Sequence, residues 1–461
     1  MSDETAAPAS RGRGVLVWLL VCVVVGLAVR LAAVAVPQCA DSITLAGKPV
    51  TWWADRPFFD DSLEYMCIAR NLRSGAGLAA DQASRIARMP GYPVFLATVQ
   101  ILFGDGYLPA RVADALVGTL CIALAWLLAR ELFGPAEACV AAAVVAVYPF
   151  FVLFAVLVLS EVLFMALLLG GALAVARAYG RGGRVRAAVA GVVFGLATLV
   201  RASFLPVPVL TAGVWALTRK RHRDAPAQAG IMIAVFALCL VPWALRNWAA
   251  SDGHLVVTTL RSGLSLYEGL NREADGGPMI DKIMNWPEAR VDTREMSEVE
   301  KDRFWRRAAL SYAAENPGRV LVLAGVKFVR FWNVVPNLAQ FRKPLFCTAV
   351  GVPYVLVMLF AFGGFARARR RGDAALTLVL PVVYYALLHV VFVGSVRYRV
   401  AIMPLVIVLA SHGVVGLWSR WRRGRSATDR DRTRLQREGH GSAASGAGAG
   451  GADGEADHRG G

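Results

Sequence analysis

Residues 138–159 read ACVAAAVVAVYPFFVLFAVLVL, a run of 22 residues without a charged side chain. An apolar stretch of about 20 residues is long enough to cross a bilayer as an α-helix. Similar runs recur through most of the 461-residue chain, which is 56% hydrophobic and only 18% charged. Soluble domains contain roughly 25% charged residues, so this chain has too little polar surface for a soluble globule of its size. The sequence therefore predicts an all-α polytopic membrane protein.

Ten segments are predicted to span the membrane, at 15–36, 110–132, 137–158, 162–178, 187–200, 204–218, 229–247, 344–365, 376–394 and 400–418. They define a transmembrane domain over residues 15–418, preceded by a polar segment at 1–14. Two further apolar segments, 91–103 and 319–333, are short or interrupted by charges, and we expect surface or re-entrant helices there. Counting both as spans would give twelve. Residues 419–461 end in Gly, Ala and Ser and are predicted to form a disordered tail.

The formal net charge of +17 raises the question of nucleic-acid binding, which the positions of the charges answer. Basic residues cluster beside alternate ends of the spans, near residues 177–186, 219–223, 367–371 and 420–425. The long loops 38–109 and 248–318 are near neutral or slightly acidic. Because Lys and Arg collect in cytoplasmic loops, we predict cytoplasmic termini and two extracytoplasmic long loops. The net charge therefore indicates orientation in the cell membrane and does not indicate nucleic-acid binding.

The first outer loop contains the densest group of candidate catalytic residues. Asp60 and Asp61 begin a predicted helix, where a carboxylate either stabilises the helix N-terminus or deprotonates an acceptor hydroxyl as a general base. Arg88 either extends to lipid headgroups or binds a lipid phosphate. Glu161 lies in a short apolar turn at the outer end of two spans. Charged groups this close to the bilayer are costly, which makes each a candidate for function.

Four arginines lie at span ends on the predicted outer side, against the general charge asymmetry: Arg201, Arg246, Arg397 and Arg399. Extension of the side chain toward headgroups would explain any one of them but explains the set less well. Together with the outer carboxylates they outline a site for an anionic ligand. The cytoplasmic loops are too short for a nucleotide-binding fold, and no phosphate-binding glycine-rich loop pattern occurs.

The first outer loop resembles that of bacterial family 39 glycosyltransferases in the motif Asp61-Ser62-x-Glu64-Tyr65-x-x-x-Ala69-Arg70-Asn71-Leu72-x-x-Gly75-x-Gly77, followed by Arg88-x-Pro90-Gly91-Tyr92-Pro93. These are GT-C type membrane enzymes related to protein O-mannosyltransferases and to the lipid A aminoarabinose transferase. Shorter matches follow in order at Tyr148-Pro149, Ser160-Glu161, Gly195-Leu196-Ala197, Pro242-Trp243, Leu266-Tyr267-x-Gly269-x-Asn271, Asn316-Pro317 and Arg397-Tyr398-Arg399. The resemblance covers about residues 15–418 and implies a GT-C helical bundle of about 10 to 12 transmembrane helices with surface helices in the first outer loop.

The resemblance also implies an activity: transfer of a sugar from a polyprenyl-phosphate donor to a glycan, lipid or protein acceptor on the extracytoplasmic face, with inversion at the anomeric carbon. The family's catalytic aspartate falls on Asp61, and because Asp60 precedes it, either carboxylate is a candidate base. The predicted donor-binding and phosphate-binding residues are Arg88, Glu161, Arg201, Arg246, Tyr267, Arg397, Tyr398 and Arg399. An anionic polyprenyl phosphate is a stable leaving group when arginines hold it, so we expect neither a metal nor another cofactor.

Two other functions remain open from the sequence. A lipid-linked sugar transporter or flippase would also have many spans with buried charges, although transporters usually show internal repeats and charges near the bilayer midplane. A polymerase or ligase of lipid-linked polysaccharide would share the donor chemistry, and a long outer loop late in the chain would favour it. In this chain the prominent charges cluster at the outer edge, which favours the glycosyltransferase.

Overall fold

The computed structural model describes residues 7–39, 44–45, 48–81, 84–217, 223–287, 293, 295–369 and 376–446. The α-helices of these ranges, numbered in chain order, are α1 (Ala7–Cys39), α2 (Asp60–Arg73), α3 (Gly91–Phe103), α4 (Tyr107–Leu132), α5 (Pro135–Val147), α6 (Pro149–Phe154), α7 (Glu161–Arg181), α8 (Arg184–Val200), α9 (Pro206–Leu217), α10 (Ala225–Ala250), α11 (Ser262–Gly269), α12 (Ile280–Met284), α13 (Glu298–Glu315), α14 (Pro317–Phe331), α15 (Pro344–Ala368), α16 (Leu376–Val391), α17 (Val396–Val400) and α18 (Met403–Gly446). Short 3-10 turns form at Val50–Trp53, Ala202–Phe204 and Ala339–Phe341, and two-residue strands β1 (Thr44–Leu45) and β2 (Lys48–Pro49) pair antiparallel.

Six helices of the described ranges are long and apolar enough to cross a membrane: α1 from Arg13, α4, α7, α10, α15 and α18 as far as Arg423. The other predicted spans coincide with the shorter helices α5, α8, α9 and α16. The predicted span 137–158 is divided between α5 and α6, because Pro149 has no backbone N–H to continue the helical ladder. The predicted fold class, an all-α polytopic membrane protein, is confirmed.

The two segments for which surface or re-entrant helices were predicted form α3 and α14. The 13 residues of α3 rise about 20 Å, well short of the roughly 30 Å hydrocarbon core of a bilayer. In α14 the ammonium group of Lys327 is buried and donates to the backbone oxygen of Val391 at 2.7 Å. That contact ties α14 to the end of α16 and explains how a lysine interrupts an otherwise apolar segment.

Glycines bring pairs of the long helices into close contact. A Cβ atom on Gly364 of α15 would lie 1.8 Å from the carbonyl oxygen of Leu409 in α18, and one on Gly413 would lie 2.0 Å from that of Phe360. Small residues allow membrane helices to approach until their backbones touch, which maximises packing where no hydrophobic effect drives association. Larger side chains at these two positions would force α15 and α18 apart.

The first outer loop is fixed to the bundle by the buried arginine of α4. The guanidinium of Arg111 donates to the carbonyl oxygens of Trp53 at 2.7 Å, Ala54 at 2.6 Å and Val156 at 2.9 Å. The hydroxyl of Ser62 in α2 donates to the carbonyl oxygen of Leu157 at 2.8 Å. These contacts join the beginning of the loop and helix α2 to the connection between α6 and α7, and this positions the N-terminus of α2 beside the N-terminal end of α7.

The C-terminal segment differs from the prediction. A disordered tail was expected from residue 419, but α18 is 44 residues long and continues to Gly446. Residues 420–438 contain no proline and are rich in Arg, with Leu, Gln and Glu, all of which favour helix. The membrane span therefore extends without a new nucleation step. The rest of the predicted tail, 447–461, lies outside the described residues.

Candidate active site

Side chains from five separate parts of the chain meet at the predicted outer end of the bundle. Asp61 lies in the first turn of α2 and Arg88 precedes α3, so both belong to the first long loop. Glu161 is the first residue of α7, Arg201 follows α8, and Arg397 belongs to the short helix α17 before α18. All five were predicted from the sequence, and the structure brings them together in one group of ion pairs.

Asp61 lies between two arginines. Its Oδ2 atom is 2.6 Å from Nη1 of Arg397, and its Oδ1 atom accepts a hydrogen bond from Nη2 of Arg88. Burial raises the pKa of the Asp61 carboxyl, but the charges and hydrogen bonds of Arg397 and Arg88 outweigh this and hold it well below its usual range. The carboxylate is therefore firmly ionised in this arrangement, with both oxygen atoms occupied by guanidinium groups.

Glu161 is fully buried on the other side of Arg397. Its Oε1 atom accepts from Nε of Arg397 at 2.8 Å and lies 3.1 Å from Nη1 of Arg201. Its Oε2 atom is buried without a hydrogen-bond partner among the described residues. One guanidinium thus connects two carboxylates, with Asp61 partly open to the outside and Glu161 enclosed.

The ion pairs continue from Arg88 to the second long loop. Nε and Nη2 of Arg88 lie 2.9 Å and 2.5 Å from Oε2 of Glu64, and Nη1 of Arg261 lies 3.2 Å from the same atom. Burial raises the pKa of Glu64, but the adjacent Arg88 and Arg261 lower it overall. The complete group, called the outer cluster below, alternates in charge in the order Arg261, Glu64, Arg88, Asp61, Arg397, Glu161 and Arg201. Four arginines face three carboxylates, so one positive charge is not matched within it.

Aromatic rings surround the outer cluster. The guanidinium of Arg88 lies 5.1 Å from the ring centre of Tyr65, and that of Arg397 lies 5.4 Å from the ring centre of Phe59. The Tyr65 hydroxyl donates to Oγ of Ser160 at 3.4 Å, directly before Glu161. Such rings favour cations over their faces and exclude water from the ion pairs. The rings of Tyr65 and Phe59 thus add to the contacts that position Arg88 and Arg397.

The backbone under the cluster contains one unusual conformation. Val158, in the connection between α6 and α7, has φ of +51° and is buried. A β-branched residue rarely adopts this left-handed region, and such strain persists only where surrounding structure enforces it. The turn redirects the chain between Leu157, which accepts from Ser62, and Glu161. It thus sets the spacing between α2 and the buried carboxylate.

The other predicted site residues lie outside the outer cluster. Asp60 is exposed and makes no ion pair among the described residues. Arg246 donates to the carbonyl oxygens of Arg85 and Leu78, and the fully buried Arg399 donates to that of Asn333 at 2.7 Å. Tyr267 packs against Trp305 with ring centres 4.9 Å apart, and Tyr398 stacks on His389 at 4.5 Å. Arg246 and Arg399 thus have neutral backbone partners, whereas the arginines of the cluster have carboxylates.

The sequence did not single out Glu64, Arg261 or Glu268 as site residues. Glu64 lies one helical turn after Asp61, so its spacing along α2 was a usable signal for a shared face. Glu268 is buried, and its Oε1 accepts from the backbone N–H groups of Met279 at 2.5 Å and Ile280 at 3.0 Å. Burial raises the pKa of Glu268 to about 7. No pattern in the second long loop indicated Arg261 or Glu268.

The arrangement suits the binding of an anionic group more than the binding of a metal. Within the described ranges, no group of three or more His, Cys, Asp or Glu side chains has metal-ligand geometry. The carboxylate oxygens of Asp61 and Glu64 are occupied by guanidinium groups instead. Arginines bind phosphate oxygens with two parallel hydrogen bonds, and the unmatched positive charge of the cluster favours such a ligand.

Comparison with known proteins bears on the fold and the family resemblance. Residues 87–248 match the family model of dolichyl-phosphate-mannose-protein mannosyltransferases. No curated protein matches the chain. The match to the family model confirms the resemblance to membrane glycosyltransferases that the sequence motifs indicated.

Solved structures resemble the chain over most of its length. The archaeal oligosaccharyltransferase AglB from Archaeoglobus fulgidus, in complex with an inhibitory peptide and a dolichol-phosphate, superposes with a TM-score of 0.56 at 15% identity, over 91% of this chain and 52% of that one. The apo oligosaccharyltransferase of the same organism gives 0.56 at 13% identity, over 90% and 52%. ArnT from Cupriavidus metallidurans bound to undecaprenyl phosphate gives 0.37 at 16% identity, over 87% and 78%. This chain spans about half the length of the archaeal enzymes, and their similarity shows a GT-C type fold.

Proposed function

We propose that this protein is a glycosyltransferase that moves a sugar from a polyprenyl-phosphate donor to a cell-envelope acceptor on the extracytoplasmic face. The outer cluster is the observation that carries the proposal. It joins both long loops to the ends of α7, α8 and α17 through alternating charges, with one positive charge in excess. At the predicted outer end of the bundle, a lipid-linked phosphate would approach from the bilayer and an acceptor from outside.

The reaction needs one base and one group of cations. The acceptor hydroxyl oxygen attacks the anomeric carbon, its proton passes to Asp61, and the bond from that carbon to the phosphate oxygen breaks with inversion. The electron pair of the broken bond stays on the polyprenyl phosphate, which gains a negative charge. Arg88, Arg397 and Arg201 would stabilise this developing charge, because fixed cations in a partly buried site cost little reorganisation during reaction.

Donor binding would also activate the base. With both oxygens paired to arginines, Asp61 has a pKa well below its usual range and is a weak base. A donor phosphate that takes over hydrogen bonds from Arg88 or Arg397 would release one Asp61 oxygen and raise its pKa. The proposed base would therefore become effective only when the donor is in place.

The second long loop is the candidate for acceptor recognition. Tyr267 packs between Trp286 and Trp305, with ring centres 6.2 Å and 4.9 Å away. Arg261 of the same loop reaches Glu64 of the outer cluster. Aromatic faces suit sugar rings as well as apolar groups, so this loop can place an acceptor close to Asp61.

The first test compares two adjacent carboxylates in the full-length protein reconstituted in liposomes. A panel of polyprenyl-phosphate sugars and a cell-envelope extract supply donors and acceptors, and release of polyprenyl phosphate is measured. Asp61→Asn should reduce release by about 10²- to 10⁴-fold, the usual contribution of a general base. The exposed Asp60→Asn is the matched control and should stay near the wild-type rate.

The same experiment separates the alternatives. Loss of release in Asp60→Asn with normal release in Asp61→Asn would move the base by one residue, and normal rates in both variants would reject the mechanism. Donors moved across the bilayer with the sugar–phosphate bond intact would indicate a transporter or flippase. Activity with lipid-linked oligosaccharides but not with single sugars would indicate a polymerase or ligase, an alternative favoured by the fold similarity to oligosaccharyltransferases.

A further inference from the structure

A second group of arginines lies at the opposite end of the bundle, in a cavity of about 730 Å³ between α15 and α18. Its walls are apolar and include Leu356, Leu359, Phe360 and Leu417. Along α18 the 17-residue distance from Met403, near the outer cluster, to Arg420 corresponds to roughly 25 Å. The α15–α18 cavity is therefore separate from the proposed active site.

Three arginines line one end of this cavity: Arg367 from α15 and Arg420 and Arg423 from α18. None of the described residues that line it is acidic. Its single histidine, His412, already pairs with the buried Glu137 of α5, whose Oε1 lies 3.0 Å from Nδ1 of the histidine. The three arginines thus line one cavity without a counter-charge among its described lining residues, so a bound anion would lower their mutual repulsion.

Arg367 is held inside the cavity rather than extended into water. Its Nη1 atom occupies the space beside Gly416, where a Cβ atom would lie only 2.1 Å away. Its Nε atom is buried and has no hydrogen-bond partner among the described residues. An arginine that merely extends toward headgroups keeps its polar atoms hydrated. This one instead crosses α18 at a glycine and keeps a buried donor without a partner among the described residues.

We propose that the α15–α18 cavity binds one anionic phospholipid of the surrounding bilayer. The acyl chains would lie along the leucine and phenylalanine walls, and the phosphate would accept hydrogen bonds from the three arginines. Basic pockets between membrane helices bind acidic lipid headgroups by this combination of apolar walls and clustered cations. The occupant would contact both helices beside their close contact at Phe360 and Gly413.

Gly363 allows the cavity to be filled without disturbing the protein. A Cβ atom there would meet no other atom within 4 Å, so a leucine side chain would occupy the cavity instead of clashing with a helix. Gly230 of α10 also has open space around its Cβ position and lies near the same end of the bundle. Gly363→Leu and Gly230→Leu therefore form a matched pair.

The test measures lipid retention by the full-length protein in detergent, after equilibration with equal amounts of phosphatidylglycerol and phosphatidylcholine. Native mass spectrometry should show one retained phosphatidylglycerol per wild-type chain, with about a tenfold preference over phosphatidylcholine. Gly363→Leu should lose this lipid, and Gly230→Leu should keep it. Equal retention of the two lipids by the wild type, or full retention by Gly363→Leu, would overturn the proposal.

A charge-removing variant tests the headgroup end independently. Replacement of the three cavity arginines by glutamine should reduce the preference for phosphatidylglycerol to about one, while the triple glutamine variant of the exposed Arg184, Arg186 and Arg223 keeps it. Polyprenyl phosphate also carries an anionic phosphate on an apolar chain, so it is added as a competitor. If the wild type, offered equal amounts of both lipids, retains polyprenyl phosphate instead of phosphatidylglycerol while Gly363→Leu retains neither, the cavity binds donor-type lipids and the proposal is wrong.

Discussion

The outer cluster and the α15–α18 cavity both gather arginines at an end of the membrane bundle, but they balance the charge differently. In the outer cluster every arginine contacts a carboxylate, as Arg397 does with Asp61 and Glu161. In the cavity, Arg367 has an unpaired Nε atom and no acidic neighbour in the lining. The difference implies two kinds of binding: a ligand of the outer cluster must displace protein carboxylates, whereas a ligand of the cavity supplies the missing anion.

The largest effect is expected from removal of Arg397, the arginine that connects two carboxylates. Arg397→Gln leaves Glu161 buried with Arg201 as its remaining partner and frees one oxygen of Asp61. Removal of one partner from a buried ion pair typically costs about 3–5 kcal/mol. We expect a large fall in the thermal unfolding temperature and loss of donor turnover.

A double-mutant cycle with Glu161→Gln distinguishes pairing from general damage. Because Arg397→Gln and Glu161→Gln together restore the charge balance, the double variant should be less destabilised than the sum of the two single variants. Strictly additive losses would mean that the two side chains do not act as a pair. Arg246→Gln is the matched control, since within the described residues Arg246 bonds to backbone oxygens and to the Asn247 amide oxygen but to no carboxylate. It should show no coupling with Glu161→Gln.

How much of this arrangement is visible in the sequence depends on the type of contact. Apolar runs predicted the long helices, because length and composition alone determine whether a helix can cross the bilayer. Charges at span ends identified Glu161, Arg201 and Arg397, which meet. The same signal also selected Arg246 and Arg399, whose partners are backbone carbonyl groups. Sequence shows that a charge is costly at a position but cannot show whether tertiary packing will offer it a carboxylate or a carbonyl group.

Long-range contacts and local breaks explain the remaining differences. Arg261 reaches Glu64 from a loop 197 residues away, and no pattern in either segment indicates the other. Pro149 divides a run that hydropathy alone presents as continuous. The extension of α18 beyond residue 419 depends on the helix propensity of its residues. The prediction of a disordered tail considered the Gly, Ala and Ser content and not this propensity.

A smaller effect is expected from Glu268, a buried acid whose described contacts include no ion pair. Burial raises its pKa to about 7, opposite in direction to the pKa of Asp61, which two arginines lower. The folded-state pKa lies above the unfolded value of about 4.5, so folding favours the neutral acid. Its stabilising contribution is therefore complete below about pH 4.5 and is lost as the pH rises through about 7.

The measurement is thermal unfolding of the full-length protein between about pH 4.5 and 8. Glu268→Gln should remove a pH-dependent loss on the order of 2–3 kcal/mol in the wild type, whereas the exposed Glu295→Gln should leave the profile unchanged. An unchanged profile in Glu268→Gln would mean that this carboxyl does not lose its proton in that range. A pKa of about 7 would then not apply to Glu268.

The smallest effect is expected from an exposed ion pair at the same end of the bundle as the cavity. Nη2 of Arg181 lies 2.7 Å from Oε2 of Glu131, but 59% of the Arg181 side chain is exposed. Exposed pairs contribute about 0–1 kcal/mol, and salt at about 1 M screens them almost completely. Arg181→Gln should therefore lower the unfolding temperature slightly at low salt and leave it unchanged at high salt. Arg186→Gln is the control, because the described partner of Arg186 is the carbonyl oxygen of Gly182 and not a carboxylate. If Arg181→Gln were as damaging as Arg397→Gln, the short distance of a pair would matter more than its burial. The contrast between the outer cluster and the rest of the protein surface would then lose its physical basis.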